Sequence, residues 1–583
     1  MRLPAFNRAM HSPGHWLESY RLRVARHDAV LSLALLGIAA GVLAGMTIVI
    51  FRLLVQESQH LVSGQEFEAF GDLSKYFRFW LPVAGGLAVG LFFQCLAGQD
   101  RSVGIIHVLH RLAYHQGHLP WRNAIAQFVG GAVTLISGHS VGREGPSAHL
   151  GAASSNIPAQ RLGLPNNSLR ITAACGTAAG IAASFNTPLA GVAFAMEVLM
   201  LNYTLTGLAP VILATVSATM ISQWALGDQL AFTVPPVKLD SLTELPFIMV
   251  SGIGIGLVGA GFIMLVRILR RQSDRLPVWL MFTTAGTVVG LCGMLVPEVM
   301  GIGDQTITDT LNGVFRPELL FLILVFKLVA TLACIGLGIP GGTIGPALVI
   351  GAAGGALMAL AGQWLGISGD SAVALYALVG MGAMMAAILQ APLAGLIAVL
   401  ELTGNPNVIL PGMLAVVTAT LTTGLFTERT SIFLNLLRQL GLDYRNDPVI
   451  QSRRRIGVAA AMERDVVVLP RKVSRERITS DLGETTRWVL LREDGESTQL
   501  LAATDLVNVM KKEPEQEEFD LQAIPGERLQ VTAIDLQASL QDAHERMQET
   551  GAEALHVTRQ TAPGIYRTYG VLTPDRIEQA WHY

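Results

Sequence analysis

The chain has 583 residues, 51% of them hydrophobic and only 15% charged, with a formal net charge of -3. That balance excludes an ordinary soluble enzyme, and the net charge argues for no particular partner; no nucleic acid is expected among them. It is the composition of a membrane protein that crosses the bilayer several times.

Before the first apolar run stand Arg2, Arg8, Arg21, Arg23 and Arg26, against Glu18 and Asp28. The run begins only near Ala29 and is too long for the core of a cleavable leader. Positive charge on this flank predicts a cytoplasmic N-terminal segment over 1–28; the C-terminus is expected in the cytoplasm as well. The next loop carries Glu57, Glu66, Glu68 and Asp72, as an outer loop can, and Arg267, Arg270, Arg271 and Arg275 mark another cytoplasmic connection. Uncharged stretches at Ala29–Phe51, Pro246–Val266, Val278–Pro297 and Val408–Thr427 are each long enough to span a hydrocarbon core of about 30 Å. Leu328–Gly369 is longer, uncharged and rich in Gly and Pro, which predicts two or more segments broken in the middle. The four cysteines (Cys95, Cys175, Cys292, Cys334) lie in apolar spans without metal-ligand spacing and read as buried thiols.

Inside this apolar texture, Gly142-Arg-Glu-Gly-Pro146 places a charged pair between uncharged flanks, Val129–Gly142 and Gly145–Gln160. A carboxylate at that depth is costly unless it faces water, a partner or a passing ion. A Gly-rich turn followed by Pro predicts a helix that starts anew there, with free N–H groups and the positive dipole end pointing inward, an anion site. Gly338-Ile-Pro-Gly-Gly-Thr-Ile-Gly-Pro346 predicts a second such start. The bland alternative, glycines that only let helices pack closely, leaves the Arg143-Glu144 pair unexplained. Glu144 itself can occupy the anion site and release it on protonation, so one residue serves as gate and proton acceptor. A static pair with Arg143 is the competing reading, but adjacent side chains on a helix diverge.

The two breaks belong to an internal repeat. Gly176–Glu197 and Gly380–Glu401 align without a gap, sharing Pro-Leu-Ala-Gly at 188–191 and 392–395 and ending on Glu197 and Glu401. Upstream, Gly145-Pro146 with Gly151-Ala152 matches Gly345-Pro346 with Gly351-Ala352. Repeats of this kind are frequently inverted in transporters, with broken helices around a midplane site. An intramembrane enzyme would need a nucleophile–base pair or metal ligands at this depth, and the sequence offers neither; the expectation is a protein that is not an enzyme.

After about Arg453 short β-branched runs (Val466–Leu469, Trp488–Leu491, Ala554–Thr558) alternate with polar helical patterns such as Leu536–Thr550. They predict a soluble α/β domain. The domains are therefore placed at 29–440 for the membrane part, 441–456 for a linker and 457–583 for the soluble part.

With these motifs the sequence resembles the CLC family of chloride channels and proton/chloride exchangers. Gly142–Pro146 looks like its GREGP motif and Gly338–Pro346 like its third anion-binding motif, and the likeness runs from roughly Arg26 to Leu440. It implies an all-α polytopic fold with an inverted repeat and broken helices at the midplane, a homodimer with one pore per subunit, and chloride or a similar small anion exchanged for protons. It implies Glu144 as the gating glutamate, with anion contacts from Ser102, Val103, Gly104, Arg143, Gly145, Thr343, Ile344 and Phe433, the amides of Thr343 and Ile344 above all. Two departures stand out. Ser102-Val-Gly-Ile-Ile106 puts Val103 where the family usually has a serine, and Phe433 stands where it usually has a tyrosine. Two hydroxyl donors are missing, which opens the way to another halide or small anion.

Family exchangers commonly carry an inner glutamate that relays protons; the aligned position here is Val198, one after Glu197. A passive channel without proton coupling is thus the alternative. Glu197, His107 and His110 are the relay candidates. For Glu197 its recurrence as Glu401 favours a structural role, and for the histidines, with His115 and His118, the competing reading is a solvated connection. The C-terminal part resembles a pair of CBS domains, modules that often bind adenine nucleotides. Thr504, Asp505, Thr573 and Asp575 are the nucleotide-binding candidates, although neither copy has the usual Thr/Ser-x-x-Asp spacing. A membrane-anchored nucleotide sensor is the third reading. No other cofactor and no metal is expected; the partners are a small anion, protons, the bilayer and a second copy.

Overall fold

The computed structural model describes Arg21 and residues 30–581, except 65–67, 201–204, 229–231, 233, 235–236, 238, 240, 274, 368–371, 443–452, 454–455, 484, 494–495 and 563–564. Most of the N-terminal segment with its arginines, Glu66 and most of the 441–456 linker lie outside the described residues. The chain forms two compact units, Leu33–Gln160 with Arg170–Tyr444, and Arg445–Tyr583 with Met1–Ser32 and Arg161–Leu169.

The larger unit is helical. In chain order it contains α1 (Val30–Ser63), α2 (Lys75–Cys95), α3 (Gly104–Tyr114), α4 (Trp121–Ile136), α5 (Glu144–Arg161), α6 (Asn166–Phe185), α7 (Pro188–Phe194), α8 (Leu205–Leu226) and α9 (Leu245–Ser273). It continues with α10 (Val278–Leu295), α11 (Asp304–Leu311), α12 (Pro317–Gly336), α13 (Ile344–Trp364), α14 (Ala372–Leu389), α15 (Pro392–Thr403), α16 (Ile409–Phe426) and α17 (Ile432–Gln439). Among the described residues, eight helices are long and apolar enough to cross a membrane. Trp224, Leu425 and Leu31 stand exposed on their outer faces, as side chains that lipid covers do. The first helix runs twelve residues past Phe51, because the residues that follow, Arg52 and Gln56 included, are competent helix formers and Arg52 turns inward.

The uncharged stretch 328–369 divides as its glycines and prolines require. Helix α12 stops at Gly336, and α13 starts at Ile344, two residues before Pro346, where the ring costs no hydrogen bond. The Gly142 motif acts in the same way between α4 and α5. The small residues after each break let backbones touch. A Cβ on Gly351 would lie 2.3 Å from the Gly380 carbonyl oxygen, and one on Gly151 lies 2.2 Å from that of Gly176.

The two repeat copies exchange equivalent hydrogen bonds. Gly142 N–H donates to Gly342 C=O and Gly342 N–H to Gly142 C=O, both at 2.8 Å. The Glu401 carboxylate accepts from Leu189 and Ala190 N–H at 2.9 and 2.7 Å, at the start of α7. The Glu197 carboxylate accepts from Leu393 and Ala394 N–H at 3.1 and 2.8 Å, at the start of α15. Each glutamate therefore caps the helix of the other copy.

Three cysteines are buried thiols, but Cys95 is exposed at the end of α2; all four are free.

The smaller unit holds α18 (Val458–Ala461), α19 (Arg475–Asp481), α20 (Ala503–Lys512), α21 (Leu540–Thr550) and α22 (Pro574–Trp581). Its strands are β1 (Val466–Pro470), β2 (Lys472–Ser474), β3 (Trp488–Glu493), β4 (Glu496–Ala502), β5 (Glu518–Asp520), β6 (Arg528–Asp535), β7 (Ala554–Ala562) and β8 (Ile565–Leu572). Six of them form one sheet in the order β1-β3-β4-β6-β7-β8, and β2 pairs with β5. The sheet has two equivalent halves. In one, β1 runs parallel to β3, β3 antiparallel to β4, and α20 follows. In the other, β6 runs parallel to β7, β7 antiparallel to β8, and α22 follows. Helix α21 begins at Leu540 and not at Leu536: Ser539 and Asp542 form a reciprocal capping box that starts the helix, and Leu536 N–H donates to Thr558 C=O of β7 instead.

Candidate functional site

The site is built where the two breaks meet. Because Gly142 and Gly342 pair backbone to backbone, the N-terminal ends of α5 and α13 lie side by side. Glu144, in the first turn of α5, is fully buried, and its Oε1 accepts a hydrogen bond from Ile344 N–H, the first amide of α13. A Cβ on Gly142 or Gly342 would fall on the carboxylate itself, 1.9 Å from its Oε2 in the first case and 2.1 Å from its Oε1 in the second. Two glycines thus leave the room the carboxylate fills. A helix N-terminus offers partial positive charge and free N–H groups to an anion, and here the protein's own carboxylate takes that place. Its other oxygen, Oε2, is buried without a hydrogen-bond partner.

Arg143 faces elsewhere. Its guanidinium meets Asp304 at 3.6 Å and lies 4.7 Å from the centre of the Phe185 ring, so it is not paired with Glu144. Asp304 opens α11, in a loop held by opposite charges on its two kinds of backbone group. Glu68 accepts from the N–H groups of Ile302, Gly303 and Asp304 at 2.5, 3.1 and 3.0 Å. The fully buried Lys327 donates to the carbonyls of Val299, Gly301 and Ile302 at 3.1, 2.9 and 3.3 Å.

A cavity of about 360 Å³ opens beside this junction. Ser102, Val103 and Gly104 line it from the start of α3, Thr343 from the start of α13 and Phe433 from the start of α17, with His110 on the wall. Gly145 is buried in the first turn of α5, where a Cβ would lie 2.4 Å from the Gly341 carbonyl oxygen. Val103 and Thr343, the residues that precede α3 and α13, make no cap with their own side chains. Val103 and Phe433 supply no donor, but Thr343 does: its hydroxyl is buried, unpaired and carried on a cavity-lining residue. Sequence reasoning credited Thr343 with its amide alone. The signal was the same position read for its side chain.

Glu197 is not among the cavity-lining residues; it caps α15, and Val198 beside it is buried. The histidines split. His115 is exposed, whereas His107 is only 4% exposed, with both ring nitrogens unpaired, so the idea of a wholly solvated group fails at His107. The ring of His149 on α5, which sequence reasoning passed over, lies 5.0 Å from that of His107. Among the described residues no cluster of His, Cys, Asp and Glu has metal-site character.

In the smaller unit, Thr504 and Asp505 sit in the first turn of α20, and Thr573 and Asp575 at the start of α22. These are equivalent places in the two halves of the sheet. Thr573 is buried and its carbonyl accepts from Arg576 and Ile577 N–H. The Asp505 carboxylate fills the space a Cβ on Gly526 would take, 2.4 Å from where that atom would lie.

Broken helices whose N-terminal ends face a cavity in a multi-pass membrane bundle define a small-anion binding protein. The profile of the family described as "Voltage gated chloride channel" matches residues 85–424, and the chain belongs to that family. It is 32% identical to a putative chloride channel protein ClcB-like of Ralstonia nicotianae, over 59% of this chain and 82% of that one. It is 29% identical to the H(+)/Cl(-) exchange transporter ClcA of Vibrio cholerae, over 67% and 85% respectively. Among solved structures, a slow cyanobacterial Cl-/H+ antiporter superposes with a TM-score of 0.63 at 25% identity, covering 70% of this chain and 97% of its own. A eukaryotic CLC transporter shares the fold with a TM-score of 0.59 at 19% identity, over 96% of this chain and 98% of that one.

Proposed function

We propose that this protein exchanges chloride, or a closely similar small anion, for protons across a membrane, with Glu144 as both gate and proton acceptor. The single observation that carries the reading is the Glu144 carboxylate lying on the first amide of α13, in space that two glycines leave open. An anion arriving at that amide competes with the carboxylate for the same donor. Protonation removes the negative charge, weakens the carboxylate's hold on the helix end, and frees the place for the anion. The swinging side chain then takes a proton one way as the anion passes the other. Ser102, Val103, Gly104, Gly145, Thr343, Ile344 and Phe433 form the anion's surroundings in this account. Arg143 acts from outside it, its charge engaged by Asp304.

The architecture proposed with it is an inverted repeat. A two-fold relation between the copies explains why Gly142 pairs with Gly342 and why Glu197 and Glu401 cap each other's helices. Both termini are assigned to the cytoplasm, the working unit is a homodimer with one pore in each subunit, and the protein acts as a transporter, not an enzyme. The C-terminal unit is read as tandem CBS-like modules, supported by its two equivalent strand–strand–strand–helix halves. Thr504, Asp505, Thr573 and Asp575 are its candidate adenine-nucleotide contacts.

A passive chloride channel is the second reading, and the buried, non-ionisable Val198 favours it. Vesicles reconstituted with the full chain and loaded with chloride separate the two. Chloride efflux accompanied by uptake of external protons, against no imposed pH gradient, supports exchange. Chloride efflux with a flat external pH supports the channel and rejects the coupling.

A further inference from the structure

Proton exchange at Glu144 requires a path for protons through a wall of apolar side chains, and the cavity wall contains a row of imidazoles. The His110 ring is 6.5 Å from that of His107, His107 is 5.0 Å from His149, and His110 is 4.9 Å from the exposed His115. Both His107 and His110 line the anion cavity. His107 and His149 are 4% and 0% exposed, yet three of their four ring nitrogens have no hydrogen-bond partner. Unpaired polar atoms at such depth are expensive, and apolar residues of the same shape would pack there without that penalty. The fourth nitrogen fixes a tautomer. His149 Nδ1 accepts from Gly104 N–H at 3.3 Å, so in the neutral ring the proton sits on the unpaired Nε2.

Resting on the exchange reading above, we infer that His110, His107 and His149 relay protons between the cavity and the helix that carries Glu144. His149 is five residues beyond Glu144 on α5, about 7.5 Å of helix rise. The Gln127 side-chain amide, buried and unpaired beside Gly104 and Gly131, offers the polar partner that a water completing the last step needs. At His110 and His107 a ring that accepts a proton on one nitrogen gives up the proton on the other and then resets its tautomer. At His149 the same step breaks the 3.3 Å bond from Gly104 N–H until the ring resets, so one proton moves and no ring keeps a charge. The titratable and charged groups facing His107 are His149 from α5 and Arg111, His110 and His115 from its own helix and the turn after it. None is acidic. Arg111, with its Nε bonded to His118 C=O at 2.5 Å, repels a resident imidazolium, which makes the row a conduit and not a proton store.

The test uses the full chain in chloride-loaded vesicles, with chloride efflux and external pH recorded together. His107→Gln is the primary variant, because the ring has no hydrogen bond to lose; His149→Gln keeps an acceptor for Gly104 N–H. Both are expected to lower the proton-to-chloride ratio by about tenfold while chloride efflux stays within about twofold of wild type. His60→Gln, on the exposed face of α1, keeps the wild-type ratio. An unchanged ratio in both relay variants overturns the relay and leaves exchange standing, as does an equal fall of both fluxes in His107→Gln. A wild-type chain that moves chloride without protons overturns exchange and the relay with it.

Discussion

The breaks at Gly142–Pro146 and Gly342–Pro346 share a backbone and differ in cargo. Each follows a helix, turns on glycine, pairs with the other at 2.8 Å and restarts a helix two residues before a proline. One carries Glu144 in its first turn; the other carries Ile344 at the same place. Fifteen residues before each paired glycine the asymmetry recurs: Gln127 on α4 has an unpaired amide, and Lys327 on α12 donates to three carbonyls. The repeated backbone makes a place where helix amides gather, and the side chains that break the repetition decide what occupies it. An anion site needs only the first. A gate needs the second.

This comparison predicts unequal costs at equivalent positions. Lys327→Met strands three buried carbonyls and removes the counter-charge near Glu68, for a loss of about 3 to 5 kcal/mol. Gln127→Leu removes an amide that is already unpaired, and its effect on stability is within about 1 kcal/mol. Thermal unfolding of the detergent-solubilised protein measures both, and similar losses would break the contrast. The glutamate caps are the symmetric control. Glu197→Gln and Glu401→Gln each weaken two charge-assisted bonds to a helix start, and each should cost about 1 to 2 kcal/mol. A difference well beyond that range would break the symmetry of the two caps.

The smallest expected effect lies in the soluble unit. Burial, with Arg492 nearby, pushes His556 down to about 4, and its Nδ1 is buried and unpaired. The folded state therefore holds it neutral where the unfolded chain binds a proton. Its contribution to stability is intact above the usual imidazole value near 6.5 and is lost as pH falls from there to about 4. Hydrogen exchange in β7, corrected for the intrinsic rate, should lose protection over that window, and His556→Gln should flatten the slope. Protection that rises on acidification would reverse the assignment.

What the sequence disclosed follows from how local each signal is. Gly and Pro mark helix breaks through their own backbone chemistry, so both breaks and the start of α13 were legible, as was the α/β texture after Arg453. Recurrence exposed Glu197 and Glu401, but which helix each one caps depends on long-range pairing that spacing does not encode. Ser539 and Asp542 did encode the start of α21, and the apolar Leu536 drew the expected boundary too early. The burial of His107 against His149 was hidden, because a polar residue on a short helix looks solvated until its neighbours are known. Arg143 illustrates the same limit. Divergence from Glu144 was readable from adjacency, and its meeting with Asp304 was not.

The central claim is that Glu144 is an anion surrogate that leaves its helix end when protonated. Glu144→Gln keeps the shape and removes the charge, so dual recording of chloride and protons in vesicles interrogates it directly. The account predicts that proton movement disappears while chloride efflux persists and no longer varies with pH. Coupled proton movement, with an unchanged pH response of chloride efflux, in Glu144→Gln vesicles would contradict it.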